Sequence, residues 1–457
     1  MDNHNREQFS SRLGFILISA GCAIGLGNVW RFPFITGQYG GGAFVLLYIF
    51  FLIILGLPIM IVEFAVGRGS QKSTAMSFDT LEPKGTKWHW YKWLAMGGNY
   101  LLMMYYTTIS GWMILYFFKM LKGDFSGLSS KGVAAVFAAT TGNPAICVAF
   151  MILTIAAGFA ICGGGLQGGV ERIVKVMMVA LILLMIVLAV NSLFLPGAGK
   201  GLAFYLKPNF AHMARAGIAK TVFAAMGQSF FTLSIGIGSM AIFGSYIGKD
   251  KRLPGEAMTI AGLDTLVAIL AGIIIFPACF SYNVKPTAGP SLIFITLPNV
   301  FNHMPNGRLW GALFFLFMSF AAMSTVIAVL QNIVAYATDL TGCSVKKACV
   351  INTAVMILLS LPCALGFSLL SGIHPMGIGT TILDLEDFIL SNNLMPLGSL
   401  VYLFFCVSRY GWGYDRFIAE VNEGIGLKLP RHKVVRFYLT YILPLIVLAV
   451  FVGGYLL

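Results

Sequence analysis

The sequence predicts an all-α polytopic membrane protein of eleven spanning helices, built as two inverted five-helix repeats and one further helix, with the first and sixth helices broken. Three observations predict it. The 457-residue chain is 58% hydrophobic and only 10% charged, with a mean hydropathy of +0.85, too little polar surface for a water-soluble protein of this length. Apolar stretches long enough to cross a bilayer, about 20 residues each, recur along the whole chain. Two of them, five apart, are interrupted by glycines and polar side chains at mid-membrane depth, where a helix that only meets lipid has no use for them.

The spans fall near 13–37, 41–67, 93–120, 145–162, 171–195 and 219–246. They continue near 257–283, 309–338, 348–370, 388–408 and 434–457. Residues 1–457 form a single transmembrane domain, with a first repeat over about 12–195, a second over about 217–408 and a last helix at 434–457. The short charged start, residues 1–12, leads into an apolar stretch too long for a cleaved signal, and no small-residue cleavage site follows it. Basic residues divide roughly two to one in favour of the loops on the N-terminal side, which places the N-terminus in the cytoplasm of a cell membrane and, after eleven spans, the C-terminus outside. Segments 122–132 and 196–217 then read as external loops.

Composition also excludes. The net charge of +13 lies in short loops between apolar runs, so it reflects membrane topology and not a nucleic-acid surface. The eight cysteines fall mostly in apolar runs without a Cys-x-x-Cys pair, so neither a disulfide framework nor a zinc site is expected. The six histidines are scattered. A buried acid–base set suited to catalysis is lacking, so the chain is not expected to be an enzyme. A channel would need a repeated filter.

The first break reads Gly21-Cys-Ala-Ile-Gly-Leu-Gly-Asn-Val-Trp-Arg-Phe-Pro33, and the sixth stretch Gly227-Gln-Ser-Phe-Phe-Thr-Leu-Ser-Ile-Gly-Ile-Gly238. Glycine weakens a helix interior, while Asn, Gln, Ser, Thr and Arg in hydrocarbon are costly unless they line a protected cavity. One Gly-rich helix could simply be packing closely against a neighbour. Two such helices at corresponding positions of two halves are what a transporter with a midplane site between inverted repeats would show.

The motifs that carry a family likeness are Arg12-Leu-Gly-Phe-Ile-Leu, Gly25-Leu-Gly-Asn-Val-Trp-Arg-Phe-Pro33, Gly40-Gly-Gly-Ala-Phe44, Glu63-Phe-Ala-Val-Gly-Arg68 and Gln228-Ser-Phe-Phe-Thr-Leu-Ser234. From about Arg6 to the end of the last span, the chain resembles the neurotransmitter:sodium symporter family, in its eleven-span bacterial amino-acid branch. The resemblance implies the leucine-transporter fold and sodium-coupled import of a hydrophobic or aromatic L-amino acid by alternating access. The alternative is a substrate-binding sensor on the same fold, for which a signalling domain would be expected. Oligomeric state is left open.

The resemblance also implies site residues. One sodium would take the Ala23 carbonyl, Asn28, Thr232 and a seventh-span residue. An ungapped alignment puts Leu263 where the leucine transporter has an asparagine, so the neighbouring Asp264, the only acidic residue well inside that span, is expected to serve. Asp264 would also supply the negative charge that chloride supplies in some relatives, making transport chloride-independent. A second sodium would take the carbonyls of Gly21, Ile24 and Ala321 and the hydroxyls of Ser324 and Thr325. Ala321, Ser324 and Thr325 lie at i, i+3 and i+4 on one helix face, although such hydroxyls can also bond back to their own helix. Both sites suit a hard cation, which wants oxygen ligands.

Gly25 stands where amine-carrying relatives have an aspartate, leaving room for a substrate carboxylate, to which Tyr106 would donate. Ala23, Gly27, Phe231, Thr232, Ser234 and Thr325 would surround the substrate, and Leu102, Phe231, Ile237 and Val329 would line its side-chain pocket. Arg31 and Asp387 would pair as an outer gate, with Gln228 beside them and Phe231 as lid. Arg6 and Asp339 would pair on the inner side, supported by Tyr246. Glu63 and Glu171 would be structural, bonding to the broken helices and loops.

Overall fold

The computed structural model of the protein describes residues 8–282 and 291–456. Within them the fold is helical throughout, without a strand. A first helix α1 (Arg12–Ala23) is followed, after three residues and a 54° bend, by α2 (Gly27–Gln38). Next come α3 (Gly42–Ser70), α4 (Thr74–Leu81), α5 (Trp88–Lys122), α6 (Ser130–Thr141), α7 (Pro144–Cys162) and α8 (Leu166–Leu193). Three shorter helices, α9 (Ala198–Leu206), α10 (Phe210–Ala216) and α11 (Ile218–Thr232), lead to α12 (Ser239–Gly244). The rest are α13 (Leu253–Ser281), α14 (Leu297–His303), α15 (Gly307–Thr341), α16 (Val345–Leu365), α17 (Ile382–Val407), α18 (Tyr414–Val421) and α19 (Lys433–Leu456).

Among the described residues, nine helices are long and apolar enough to cross a membrane, ten if α1 and α2 count as one bent span. The sequence expects one more across 219–246, but there α11 and α12 are separated by six non-helical residues and each piece is short. The expected external loops are partly helical. Segment 122–132 runs into α6, and segment 196–217 holds α9 and α10. Their short amphipathic patterns are too brief to stand out against the long apolar runs on either side.

Proline explains most of the irregularity in the long helices. Single π-turns at 27–31, 52–56, 389–394 and 438–442 each end just before Pro33, Pro58, Pro396 and Pro444. Proline has no N–H to give the carbonyl four residues back, and the helix absorbs the misfit by widening one turn. The freed carbonyl needs another donor in a membrane. At Pro58 that carbonyl is Ile54, and the Tyr438 hydroxyl of α19 donates to it.

The two breaks lie against each other and are held by the surrounding helices. In the second break Ser234, Gly236 and Gly238 have φ of +51°, +93° and +78°, a left-handed path that favours glycine. Much of its main chain is held by side chains of neighbouring helices. Glu63 accepts from the N–H groups of Gly236 and Met240. Tyr91 donates to Gly236 O at 2.6 Å, Asn99 to Ile237 O at 2.9 Å and Thr74 to Gly238 O at 3.4 Å. The expected structural role of Glu63 has this form. Glu171 likewise takes the N–H and hydroxyl of Ser10, at 2.8 and 2.6 Å, at the start of α1. At the same end of the bundle, buried Arg68 ties α3 to α18 through Glu420 at 2.6 Å.

α17 crosses the second break closely enough that only glycine fits at the crossing. A Cβ on Gly398 would stand 1.7 Å from Gly236 O and 2.5 Å from the Tyr91 hydroxyl. Gly398→Ala therefore destabilises the protein by about 1–3 kcal/mol or more, because main chain cannot give way as a side chain can. A Cβ on the exposed Gly262 meets nothing within 4 Å, so Gly262→Ala is neutral or stabilising by about 0.5–1 kcal/mol. Thermal unfolding of the two variants in detergent checks the contrast.

Candidate functional site

The end of α1 leaves carbonyls without helical partners, and they converge on α15. The Thr325 hydroxyl lies 3.1 Å from Gly21 O, 3.5 Å from Cys22 O, 3.4 Å from Ile24 O and 3.5 Å from Ala321 O. One hydroxyl carries one proton; Cys22 O also accepts from Ser234 at 3.3 Å and Ala321 O from Ser324, which leaves Gly21 O and Ile24 O competing for the Thr325 proton. The C-terminal end of the α1 dipole adds negative potential at the same point. This is a cradle suited to a small hard cation. Ser324, next to it, bonds back to Ala321 O at 2.9 Å. Back-bonding thus describes Ser324, while Thr325 reaches across to the other helix.

A second polar cluster lies on the other side of the breaks. Asp264 is fully buried. It takes the Asn28 amide at 2.8 Å on one oxygen, and the Thr232 hydroxyl at 2.8 Å and the Tyr48 hydroxyl at 3.3 Å on the other. Asn28 Oδ1 accepts from Gly25 N–H at 3.3 Å, closing the first break over this cluster. Three helix systems therefore meet at one carboxylate, and among the described residues no lysine or arginine is a partner. The structure joins Asn28, Thr232 and Asp264, as the sequence expects, while Leu263 is only partly buried. Tyr48 was not foreseen; an isolated tyrosine in an apolar run gives no pattern to read.

Between the two clusters is a small pocket of about 20 Å³, room for roughly one water. Nine of the eleven expected substrate residues line it, all but Thr232 and Val329. Both exceptions are buried; Thr232 is turned to Asp264. Cys22, Leu390 and Met395 line it without having been expected. The Tyr106 hydroxyl accepts from Leu26 N–H at 2.9 Å, which fixes it at the mouth of the first break. Gly25 leaves the space it needs: a Cβ there would be 2.2 Å from the Tyr106 oxygen and 2.6 Å from the Thr325 oxygen.

Above the pocket is a vestibule of about 520 Å³. Tyr106 and Phe231 line both spaces and so form the partition between them. The expected Arg31–Asp387 pair is not formed. Arg31 lies over the Phe231 ring at 4.4 Å, with one guanidinium nitrogen unpartnered among the described residues. Asp387 instead accepts from Tyr105 at 3.1 Å and Ser391 at 2.8 Å. The vestibule holds the two charges apart, and each has found a local neighbour. Gln228 donates to Gly27 O at 3.0 Å and its own carbonyl is unpartnered among the described residues. At the opposite end, Asp339 accepts from Ser73 N–H at 2.7 Å and Tyr246 from Gln331 at 3.3 Å. Arg6, the expected partner of Asp339, lies outside the described residues.

Residues 6–129 and 139–456 match the Sodium:neurotransmitter symporter family. The chain belongs to that family. It is a sodium-dependent transporter and not an enzyme. The sodium-dependent transporter YhdH of Bacillus subtilis is 34% identical over 99% of this chain and 98% of its own length. A sodium-dependent transporter of Haemophilus influenzae is 31% identical over 99% of both. Among solved structures, that of MhsT in complex with L-phenylalanine shares 36% identity, covers 98% of this chain and 100% of its own, and superposes with a TM-score of 0.87. The fold of this symporter is thus shared along its whole length.

Gly25→Ala tests the packing at the pocket mouth. The added methyl must displace Tyr106 or Thr325, at a cost of about 1–3 kcal/mol. Substrate affinity falls, and sodium binding weakens with it because Thr325 belongs to the carbonyl cradle. Titrating both on the purified variant checks this; unchanged affinity for both would contradict the geometry.

Proposed function

We propose that the protein imports a hydrophobic or aromatic L-amino acid by symport with two sodium ions, without need of chloride. The observation that carries this reading is the crowding of four carbonyl oxygens around the one hydroxyl of Thr325, beside a pocket with apolar walls and a broken-helix mouth. One sodium occupies that cradle, with Gly21, Ile24, Ala321, Ser324 and Thr325 as ligands. The other lies at Asn28, Thr232 and Asp264 with the Ala23 carbonyl. The substrate carboxylate meets the Leu26 amide and the Tyr106 hydroxyl, and its side chain enters the space by Leu102, Phe231 and Ile237. The complex of MhsT with L-phenylalanine supports a substrate of this class.

Charge balance supports chloride independence. Two sodium ions and a zwitterion leave excess positive charge in a low-dielectric site, which an anion must offset; the Asp264 carboxylate provides it. Alternating access then works as follows. Substrate and sodium enter from the vestibule, Phe231 closes, and Arg31 and Asp387 approach each other across the narrowed space. On the inner side, Arg6 and Asp339 separate. The N-terminus faces the cytoplasm, in keeping with the loop charges.

Uptake of labelled L-leucine and L-phenylalanine into proteoliposomes tests the reading. An inward sodium gradient drives accumulation, and replacing chloride by gluconate leaves it unchanged. Accumulation without sodium, or its collapse in gluconate, would contradict the proposal. Tyr106→Phe removes a hydrogen bond to a charged group, worth roughly 1.5–3 kcal/mol. It weakens substrate binding by about tenfold or more while sodium binding alone persists.

A further inference from the structure

The side-chain end of the pocket has a wall from α17, a helix outside the residues assigned to the substrate above. Leu390 and Met395 are 1% and 2% exposed and line the pocket with Leu102 and Ile237. They reach it together because of the π-turn at 389–394. In a regular α-helix, residues five apart point about 140° away from each other. A π-turn, with its wider i to i+5 repeat, brings such residues toward one face. Pro396 fixes the place of that turn.

The same helix is tied to the unwound loop that forms the pocket. A Cβ on Gly236 would stand 2.0 Å from Met395 O, and one on Gly398 would meet Gly236 O. The main chain of residue 395 is therefore set against the break while its side chain is free to differ. The pocket has room for about one water, so some wall must yield to a leucine or phenylalanine side chain. Ile237 cannot readily do so. It is β-branched and stiff, and its Cγ2 is only 2.8 Å from where a Cβ on Gly98 would be. Met395 is unbranched, with three rotatable bonds suited to filling irregular space.

We propose that Leu390 and Met395 form the adjustable end wall of the substrate pocket, and that Met395 sets which amino-acid side chain is accepted. This rests on the amino-acid reading above. A smaller residue at 395 deepens the pocket and favours bulky substrates; a larger one shortens it and favours small ones. The carboxylate end and both sodium clusters are built from other helices and stay as they are.

The experiment is calorimetric titration of the purified full chain in sodium with alanine, valine, leucine, methionine, phenylalanine and tryptophan, each separately. Wild type, Met395→Ala, Met395→Phe and Leu390→Ala are compared, with stabilisation by sodium alone as the check on folding. Met395→Ala raises the affinity ratio of tryptophan to leucine by roughly tenfold, the scale of a methylene or two in an apolar pocket. Met395→Phe lowers it, and Leu390→Ala raises it. An unchanged ratio in the variants that still respond to sodium overturns the proposal. If both Met395 variants fail to fold, Leu390→Ala decides it by the same criterion. If wild type binds none of the six, the amino-acid reading fails and the wall proposal with it.

Discussion

A main chain that leaves the helix inside a membrane must find partners for every N–H and C=O it frees, and this constraint organises the whole structure. The two breaks meet it in opposite ways. In the second, Glu63, Tyr91, Asn99 and Thr74 occupy the Gly236 N–H and the carbonyls of Gly236, Ile237 and Gly238. The first leaves Gly21 and Ile24 O sharing a single hydroxyl on α15, while Cys22 O also accepts from Ser234. The second break is thereby held in place. On the proposed reading a cation completes the first break, and occupancy of that place then couples to the packing of α1 on α15.

The second polar cluster follows the same logic with a formal charge. A buried carboxylate is expensive unless several donors meet it, and Asp264 has three from three different helices. Because Asn28 also receives Gly25 N–H, a change at the carboxylate is felt at the backbone that faces the substrate pocket. Tyr106, held by Leu26 N–H, is the corresponding link on the vestibule side. Ion clusters, pocket and partition are thus joined through one short stretch, residues 21–28.

Much of this was legible in the sequence because it rests on residues out of place in a membrane helix. Glycines in α1 and α11, Asn28 and the isolated Asp264 stand out against apolar neighbours, and the breaks and both clusters lie where those residues are. What stayed hidden depends on geometry that only the folded helices supply. Tyr48, Tyr91 and Asn99 look like ordinary residues of apolar spans until the unwound chain is placed beside them. Leu390 and Met395 face the pocket through a π-turn, which periodicity at 3.6 residues cannot anticipate. The outer gate shows a different limit. Arg31 and Asp387 were rightly placed at one mouth, yet whether two charges touch depends on how wide that mouth stands.

The central claim is that two oxygen clusters flanking one pocket each hold a sodium ion. Equilibrium binding of radioactive sodium to the purified protein, in the presence of saturating substrate, tests it most directly. Wild type should bind two ions per chain, and Thr325→Ala and Asp264→Ala should each bind one. Binding of a single ion by the wild type, or no loss in either variant, would contradict the account.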